Sequence, residues 1–402
     1  MQKVEQHIIS NNDPRWSLMD TACFLSKNLY NATLYELRQH FFATGKSKSY
    51  AQLAQEMKQN PDYCALPRKV SQWVLKQVDH DWQAFWAANS VYQENPSAFT
   101  GRPKLPKYKH KTQGRNLLTY TIQALSKSQL RKGIIVPSQV HIAVQTQIDP
   151  DCIQQVRIVP RNGYYVVEVV YKDELHLAGP NPEKIAGIDV GLNNLAAVTS
   201  NQVGFRPFLV NGRPLKSINQ HYNKEQARLQ SQLPEAQFTS KRLERLTNQR
   251  NRQIQHFLHV ASKLIVTELV KQGIGKLIIG KNDGWKQNIE MGKRKNQQFV
   301  QVPHARFIEM LTYKAQEQGI EVILTEESYT SKCSLLDNEP LEKRDHYLGK
   351  RVKRGLFQSS DGRLINADVN GAGNIMRKVV PNAFADGIEV LVVAPLRVEI
   401  PA

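Results

Sequence analysis

The segment GIDVGLNNLAAVTS, Gly187 to Ser200, sets a carboxylate inside an apolar run. Two strand-like stretches flank a tight turn, so Asp189 falls in a strand among residues that prefer burial. A buried carboxylate without a partner is costly, and such groups are usually paired or bound to a cation. The surrounding chain has the opposite character, with 54 Lys and Arg against 36 Asp and Glu. Any fold for this chain has to hold that acid in a sheet while keeping a basic surface.

The net charge of +18 is spread along the 402 residues and points to a polyanion partner, because Lys and Arg displace condensed counterions from phosphates. A chain this long exceeds one ordinary core, so two or three domains are expected, and an apolar share of 41% supports packed ones. Cys23, Cys64, Cys152 and Cys333 form no C-x-x-C pair, which suits a reducing compartment and gives no disulfide framework. No apolar run is long enough for a bilayer and no signal peptide is visible, so a cytoplasmic protein without membrane association is expected.

The texture changes along the chain. After the strand-like VEQHII, residues 14–95 read as helical, with Leu18, Ala22, Leu25 and Leu29, then Val70, Trp73, Val74, Val78, Trp82, Phe85 and Trp86, forming apolar stripes that read as core. From Pro96 the stretch NPSAFTGRPKLPKYKHKTQGR is rich in proline, glycine and positive charge. Its Arg102, Lys104, Lys107 and Lys109 suit contact with a sugar-phosphate chain, or simply a solvated linker. Short β runs follow to Tyr171 and read as a small barrel interrupted by the helical block. From Ile185 strands and helices alternate, including a long basic segment from Leu215 to Lys271 with Arg242 and Arg245, which gives a mixed α/β class.

Three places put acids at strand ends or helix starts: Asp189, the pair Glu326 and Glu327 in VILTEESYTSK, and Asp368 in INADVNGAGNI. Converging from separate segments, they would suit magnesium, which prefers oxygen ligands. Two such ions about 4 Å apart stabilise both the attacking and leaving oxygens of phosphodiester hydrolysis. Singly, each has another reading: Asp368 as a helix cap, Asp189 as half of an ion pair.

These blocks resemble the TnpB family of transposon-associated RNA-guided nucleases, related to type V CRISPR effectors. The resemblance rests on GIDVGLNNLAAVTS, KLIIGKNDGWKQN, FVQVPHARFIEMLTYKA, TEESYTSKCSLLD and LINADVNGAGNIMRK, with NLYNATLYELRQ and FTGRPKLPKYKHK nearer the front. It implies an α/β ribonuclease-H-like (RuvC) nuclease domain over 181–380, an N-terminal β-barrel (wedge) domain over 1–13 and 96–180, a helical recognition insert over 14–95, and a C-terminal tail over 381–402. It further implies a guide RNA derived from the mobile element, a double-stranded DNA target, and two Mg2+ ions. Asp189 matches the family's first catalytic aspartate and Asp368 the last, with Asn370 and Asn374 in their expected places.

The chain departs from the family twice. Many relatives carry a glutamate where this chain reads Gly280, Lys281, Asn282. Neighbouring strand residues alternate in direction, so one of Glu326 and Glu327 is expected to take the vacant role, with Glu327 preferred; Asp283 is a further candidate. Relatives also carry a four-cysteine zinc ribbon, of which only Cys333 remains. A structural zinc needs four nitrogen or sulfur ligands, so none is expected. The degenerate insert over 333–362, with Lys353 and Arg354, keeps the charge to touch nucleic acid, or is simply a disordered, solvated loop. The pair His256 and His259 reads as packing or phosphate contact. Without the usual glutamate a guided DNA-binding repressor that no longer cuts is the main alternative, and a transposase joining DNA ends is another.

Overall fold

The computed structural model describes residues 2–173, 180–235, 237–282, 292, 296–297, 300–384 and 394–400. The chain divides into two compact units, residues 1–174 and 175–402.

In the N-terminal unit, strand β1 (Gln2–Ser10) precedes four helices: α1 (Trp16–Thr44), α2 (Tyr50–Glu56), α3 (Pro61–Cys64) and α4 (Arg68–Glu94). After them come β2 (Leu118–Thr121), the short α5 (Lys127–Leu130), the ribbon strands β3 (Ile134–Ile135) and β4 (Val144–Gln145), β5 (Ile153–Arg161) and β6 (Tyr164–Lys172). β1 pairs antiparallel with β6 from Gln2↔Lys172 to Ser10↔Tyr164, so the helices are inserted between two paired strands. The order β1–β6–β5–β2 is linear, and β3–β4 pair separately. Among the described residues the strands thus make an open antiparallel sheet and a ribbon, not the closed barrel expected from their number. Short strands bounded by turns look alike in either arrangement, since closure depends on pairings that periodicity does not encode.

The helical stripes are core only in part. Val70, Val74, Val78 and Trp82 are buried on α4, with Ala22 and Leu29 on α1. Leu18 and Trp86 are exposed and Trp73 is half-buried, with Lys76 Nζ 4.9 Å from the Trp73 ring centroid. The basic segment after α4 is not a free linker: Asn31 on α1 exchanges two 2.9 Å hydrogen bonds with the backbone of Lys109, and Lys27 Nζ donates to Lys111 O at 2.6 Å.

The C-terminal unit is built on one mixed sheet. Its strands are β7 (Asn181–Val190), β8 (Asn194–Ser200), β9 (Phe208–Asn211), β10 (Ile274–Gly280), β11 (Glu321–Thr325) and, after β12 (Lys350–Lys353), β13 (Leu356–Gln358) and β14 (Leu364–Asn366), the last strand β15 (Leu396–Val398). The order is β11–β10–β7–β8–β9–β15, with β8 antiparallel to both neighbours and β10, β11 and β15 parallel to the strands beside them. The chain end, expected as a tail, returns to form the edge strand against β9.

Period-two alternation divides the sheet's faces. Ala186, Ile188 and Val190 of β7, with Leu277 and Ile279 of β10, pack into the core under α7 (Lys241–Lys271) and α8 (His304–Glu317), where Leu258, Ile265 and Phe307 are fully buried. Ile185 and Ile278 take the other face, against Ile375 and Met376 of α9 (Ala367–Val379). Asp189 and Gly280 share that second parity, so position 189 faces α9 and not the larger core. The basic α6 (Arg213–Gln230) precedes α7. No helix among the described residues is long and apolar enough to cross a membrane.

Candidate active site

Three elements bring the sequence-derived acids together. Ile279 of β10 is level with Ile188 of β7, so Gly280 and Asp189 lie at the same height at the C-terminal ends of two parallel strands, where open α/β sheets bind their ligands. Gly280 is level with Thr325 on β11, and the chain continues from there into Glu326 and Glu327. Helix α9 crosses this edge at Gly371, where an added Cβ would sit 2.8 Å from Asp189 Oδ2; a side chain there would displace the acid.

Asp368 is in the first turn of α9 but is not its cap. Asn366 accepts from the amides of Asp368 at 3.0 Å and Val369 at 3.2 Å. This leaves the Asp368 carboxylate for another task, and its Oδ2 accepts a 2.6 Å bond from Asn194 Nδ2. Asn194 reaches it because the β8–β9 register shifts between Asn194 and Ala196, and such a bulge re-aims a side chain. Asp189 forms no ion pair among the described residues; the nearest compensation is the field of Arg351.

Glu326 and Glu327 face opposite ways. Glu326 points outward, with Oε2 2.9 Å from Lys378 Nζ, and that lysine also reaches Ser328 Oγ at 2.8 Å. The Lys378 ammonium and the Ser328 hydroxyl hold its carboxyl below the usual range. Glu327 points inward and is clamped by Asn282, which accepts from the Glu327 amide at 2.8 Å and donates to Oε2 at 3.1 Å. Its Oε1 is buried with no hydrogen-bond partner. That oxygen occupies the space a side chain at position 280 would take: an added Cβ at Gly280 falls 2.6 Å from Glu327 Cγ and closer still to Oε1. Glu327, two residues beyond the end of β11, therefore fills the space that a side chain at position 280 of β10 would need. Asp283 lies outside the described residues.

The acids meet in pairs that share Asp189. Burial and then the Asp368 carboxylate push Asp189 up to about 7; burial and then the Asp189 carboxylate push Glu327 up to about 8. Among the described residues no three His, Cys, Asp or Glu side chains form a single cation cluster. All donors are carboxylate or carboxamide oxygens, which suit a hard divalent ion, and the like-charged pairs with the orphaned Glu327 Oε1 are what such an ion would satisfy.

Sequence reasoning matched Asn370 and Asn374 to the family's pattern without giving them a role, and it missed Glu339. Asn370 accepts from the Leu335 amide at 2.9 Å and donates to Cys333 O at 2.9 Å, while Asn374 donates to Thr330 O and Cys333 O at 2.9 and 2.8 Å. Both are fully buried and staple the loop after Glu327 onto α9. The insert is organised by a fully buried carboxylate: Glu339 accepts from Ser334 N at 2.7 Å and Leu348 N at 2.8 Å, and Cys333 Sγ donates to Pro340 O at 3.4 Å. Removing both charge-assisted bonds costs about 3 kcal/mol. Glu339→Ala is accordingly expected to open residues 340–354 to limited proteolysis, whereas EDTA leaves the wild-type fragments unchanged.

Of the candidate phosphate contacts, Arg102, Lys104, Lys107, Arg242, Arg245, Lys353 and Arg354 are exposed. Lys109 is half-buried and its Nζ lies 4.5 Å from the Tyr30 ring centroid. His259 is part of the α7–α8 packing, its carbonyl accepting from Lys314 Nζ at 2.7 Å.

The fold of this chain is similar to that of Cas12f1. The Cas12f1 chain of a cryo-EM complex with sgRNA and target DNA superposes with a TM-score of 0.55 at 15% identity, over 89% of this chain and 81% of that one. Residues 164–286 match a family described as "Probable transposase", and residues 304–375 match the "Cas12f1-like, TNB domain". The TnpB-like protein ORF457 of Acidianus two-tailed virus is 26% identical over 408 residues, spanning 89% of this chain and 82% of that protein. Over these lengths the chain is similar to TnpB-like and Cas12f1-like proteins.

Proposed function

We propose that the chain is an RNA-guided DNA endonuclease of a mobile element, hydrolysing phosphodiester bonds at a site formed by Asp189, Glu327 and Asp368. The observation that carries this reading is the inward carboxylate of Glu327, whose Oε1 is buried without a partner beside Asp189, itself coupled to Asp368. The strand order β11–β10–β7–β8–β9, with only β8 reversed, supports a ribonuclease-H-like, RuvC-type domain.

Two Mg2+ ions held by these three carboxylates would, when bound, supply an activated water and charge stabilisation at the leaving 3′ oxygen. The chain's own residues set the geometry. Asn282 fixes one oxygen of Glu327 and leaves the other facing the site, and Asn194 does the same for Asp368. Lys378 draws Glu326 away, so that only one of the adjacent acids enters.

The similar Cas12f1 is described in complex with sgRNA and target DNA, and a guide RNA and a double-stranded DNA target are the partners proposed here. Base pairing would read sequence while the protein reads backbone shape and a short adjacent motif. Exposed Arg102, Lys104 and Lys107 of the N-terminal unit, in its wedge and recognition roles, Arg242 and Arg245 of α7, and Lys353 and Arg354 of the β12–β13 turn supply the phosphate contacts.

The purified ribonucleoprotein tests this. Target DNA complementary to the copurifying RNA is expected to be cut in Mg2+, leaving 5′ phosphates, and to stay intact with Asp189→Ala or Glu327→Ala. Cutting that persists in both variants would sink the site assignment; binding without cutting by the wild type would favour a guided repressor. The "Probable transposase" description gives strand transfer a claim of its own, and joined DNA products in the same assay would establish it.

A further inference from the structure

The N-terminal unit exposes a group of large rings on the outer face of α1 and its neighbours. Tyr35 and Phe42 are 52% and 60% exposed, Trp86 39% and Tyr108 43%. Tyr35, Arg38 and Phe42 fall at i, i+3 and i+7, one face of the helix over about 10 Å. Fully burying one such ring is worth about 1.5–3 kcal/mol, so four left in water are not explained by folding. Two of them rest on one inner ring: Phe41 lies 6.0 Å from Phe42 and packs edge-on to Trp86 at 5.6 Å and to the buried Trp82 at 5.5 Å.

A cation is built into this apolar surface. The Arg38 guanidinium lies 5.7 Å from the Phe42 ring centroid and 4.9 Å from that of Tyr108, and its Nε is shielded from solvent with no hydrogen-bond partner. A shielded, unsatisfied donor on a charged group is costly and is relieved by an anionic or carbonyl oxygen. Exposed Lys104 and Lys107 precede Tyr108 in the same segment.

We propose that Tyr35, Phe42, Trp86 and Tyr108, with Arg38 between two of them, form a stacking surface for unpaired nucleotides of a single strand. Unpaired nucleotides offer flat apolar base faces for the rings and phosphates for the cations, whereas a duplex hides the first. This goes beyond guided cleavage and concerns residues remote in sequence from the acids.

The test uses the full chain freed of copurified RNA and a fluorescent 12-nucleotide uridine strand, with anisotropy as the readout. Phe42→Ala and Tyr35→Ala are each expected to weaken binding roughly tenfold, the usual scale for losing one stacking ring. Arg38→Lys, which keeps the charge but not the flat guanidinium, weakens it as well. An abasic strand of equal length binds wild type more weakly and is indifferent to Phe42→Ala. Asp189→Ala binds like wild type, which separates this surface from the cleavage site. Equal affinity for abasic and base-bearing strands would overturn the proposal, and so would a concentration-dependent dimer that Phe42→Ala abolishes, since the surface would then join two copies.

Discussion

Gly280→Ala is expected to lower DNA cleavage by about a hundredfold or more, approaching the loss from Glu327→Ala, although it removes no functional group. The new methyl would lie 2.6 Å from both Glu327 Cγ and Ile375 Cδ1, inside van der Waals contact. Ile375 is fully buried and cannot yield without opening the α9 packing, so the carboxylate moves instead. A displacement near 1 Å at a reacting centre costs about 10²-fold. The complement is more telling. In Gly280→Glu combined with Glu327→Ala, the acid comes from the end of β10, where many relatives carry it, and the space held by the Glu327 carboxylate is vacated, leaving Ile375 Cδ1 as the one close contact of the three. Cleavage by the double variant is expected to exceed that of either single one. Rates under single-turnover conditions at saturating Mg2+ decide this; a Gly280→Ala rate equal to wild type would mean that Glu327 has no positional role.

How much of this was legible beforehand varies with the kind of signal. Asp189 was visible because a charge inside an apolar strand contradicts the local pattern. Asp368 stood beside a helix start, where sequence alone left capping open; the cap is Asn366, two residues earlier. Alternation allowed only one of Glu326 and Glu327 to face inward, and Glu327 was preferred; what fixes the direction is Asn282 and Lys378, distant in sequence. The same limit hid Asn194, since its bulge breaks the alternation on which the reading relied. The open sheet of the N-terminal unit and the return of β15 are long-range pairings, which local periodicity does not carry. The insert is ordered around Cys333 without a C-x-x-C pair, because the buried Glu339 gathers backbone amides there.

The acid cluster should also make the ion-free protein less stable as pH rises. Asp189 is raised to about 7 from an ordinary 3.8, and Glu327 to about 8 from 4.5, through burial first and the neighbouring carboxylate second. The native chain therefore keeps protons that the unfolded chain has already released, and unfolding between about pH 4 and 8 gives them up. Stability contributed by these groups is undiminished below pH 4, falls through the window and is lowest above pH 8, by an amount on the order of a few kcal/mol for the coupled pair. For a unit of this size that corresponds to a fall in Tm of roughly 5–10 °C between pH 5 and pH 8 in EDTA. His259, which burial holds below its ordinary value, acts in the opposite sense, so the quantity to compare is wild type against Asp189→Asn with Glu327→Gln. The double variant is expected to lose most of the downward slope and to be the more stable protein at pH 8. Mg2+ binds the deprotonated acids, so its stabilisation of wild type should be small at pH 5 and largest at pH 8, about 2.7 kcal/mol at a hundredfold excess over Kd. Scanning calorimetry across this pH range decides the matter: a slope shared by wild type and the double variant, or Mg2+ stabilisation that does not grow with pH, would mean that Asp189 and Glu327 are not the proton-linked pair.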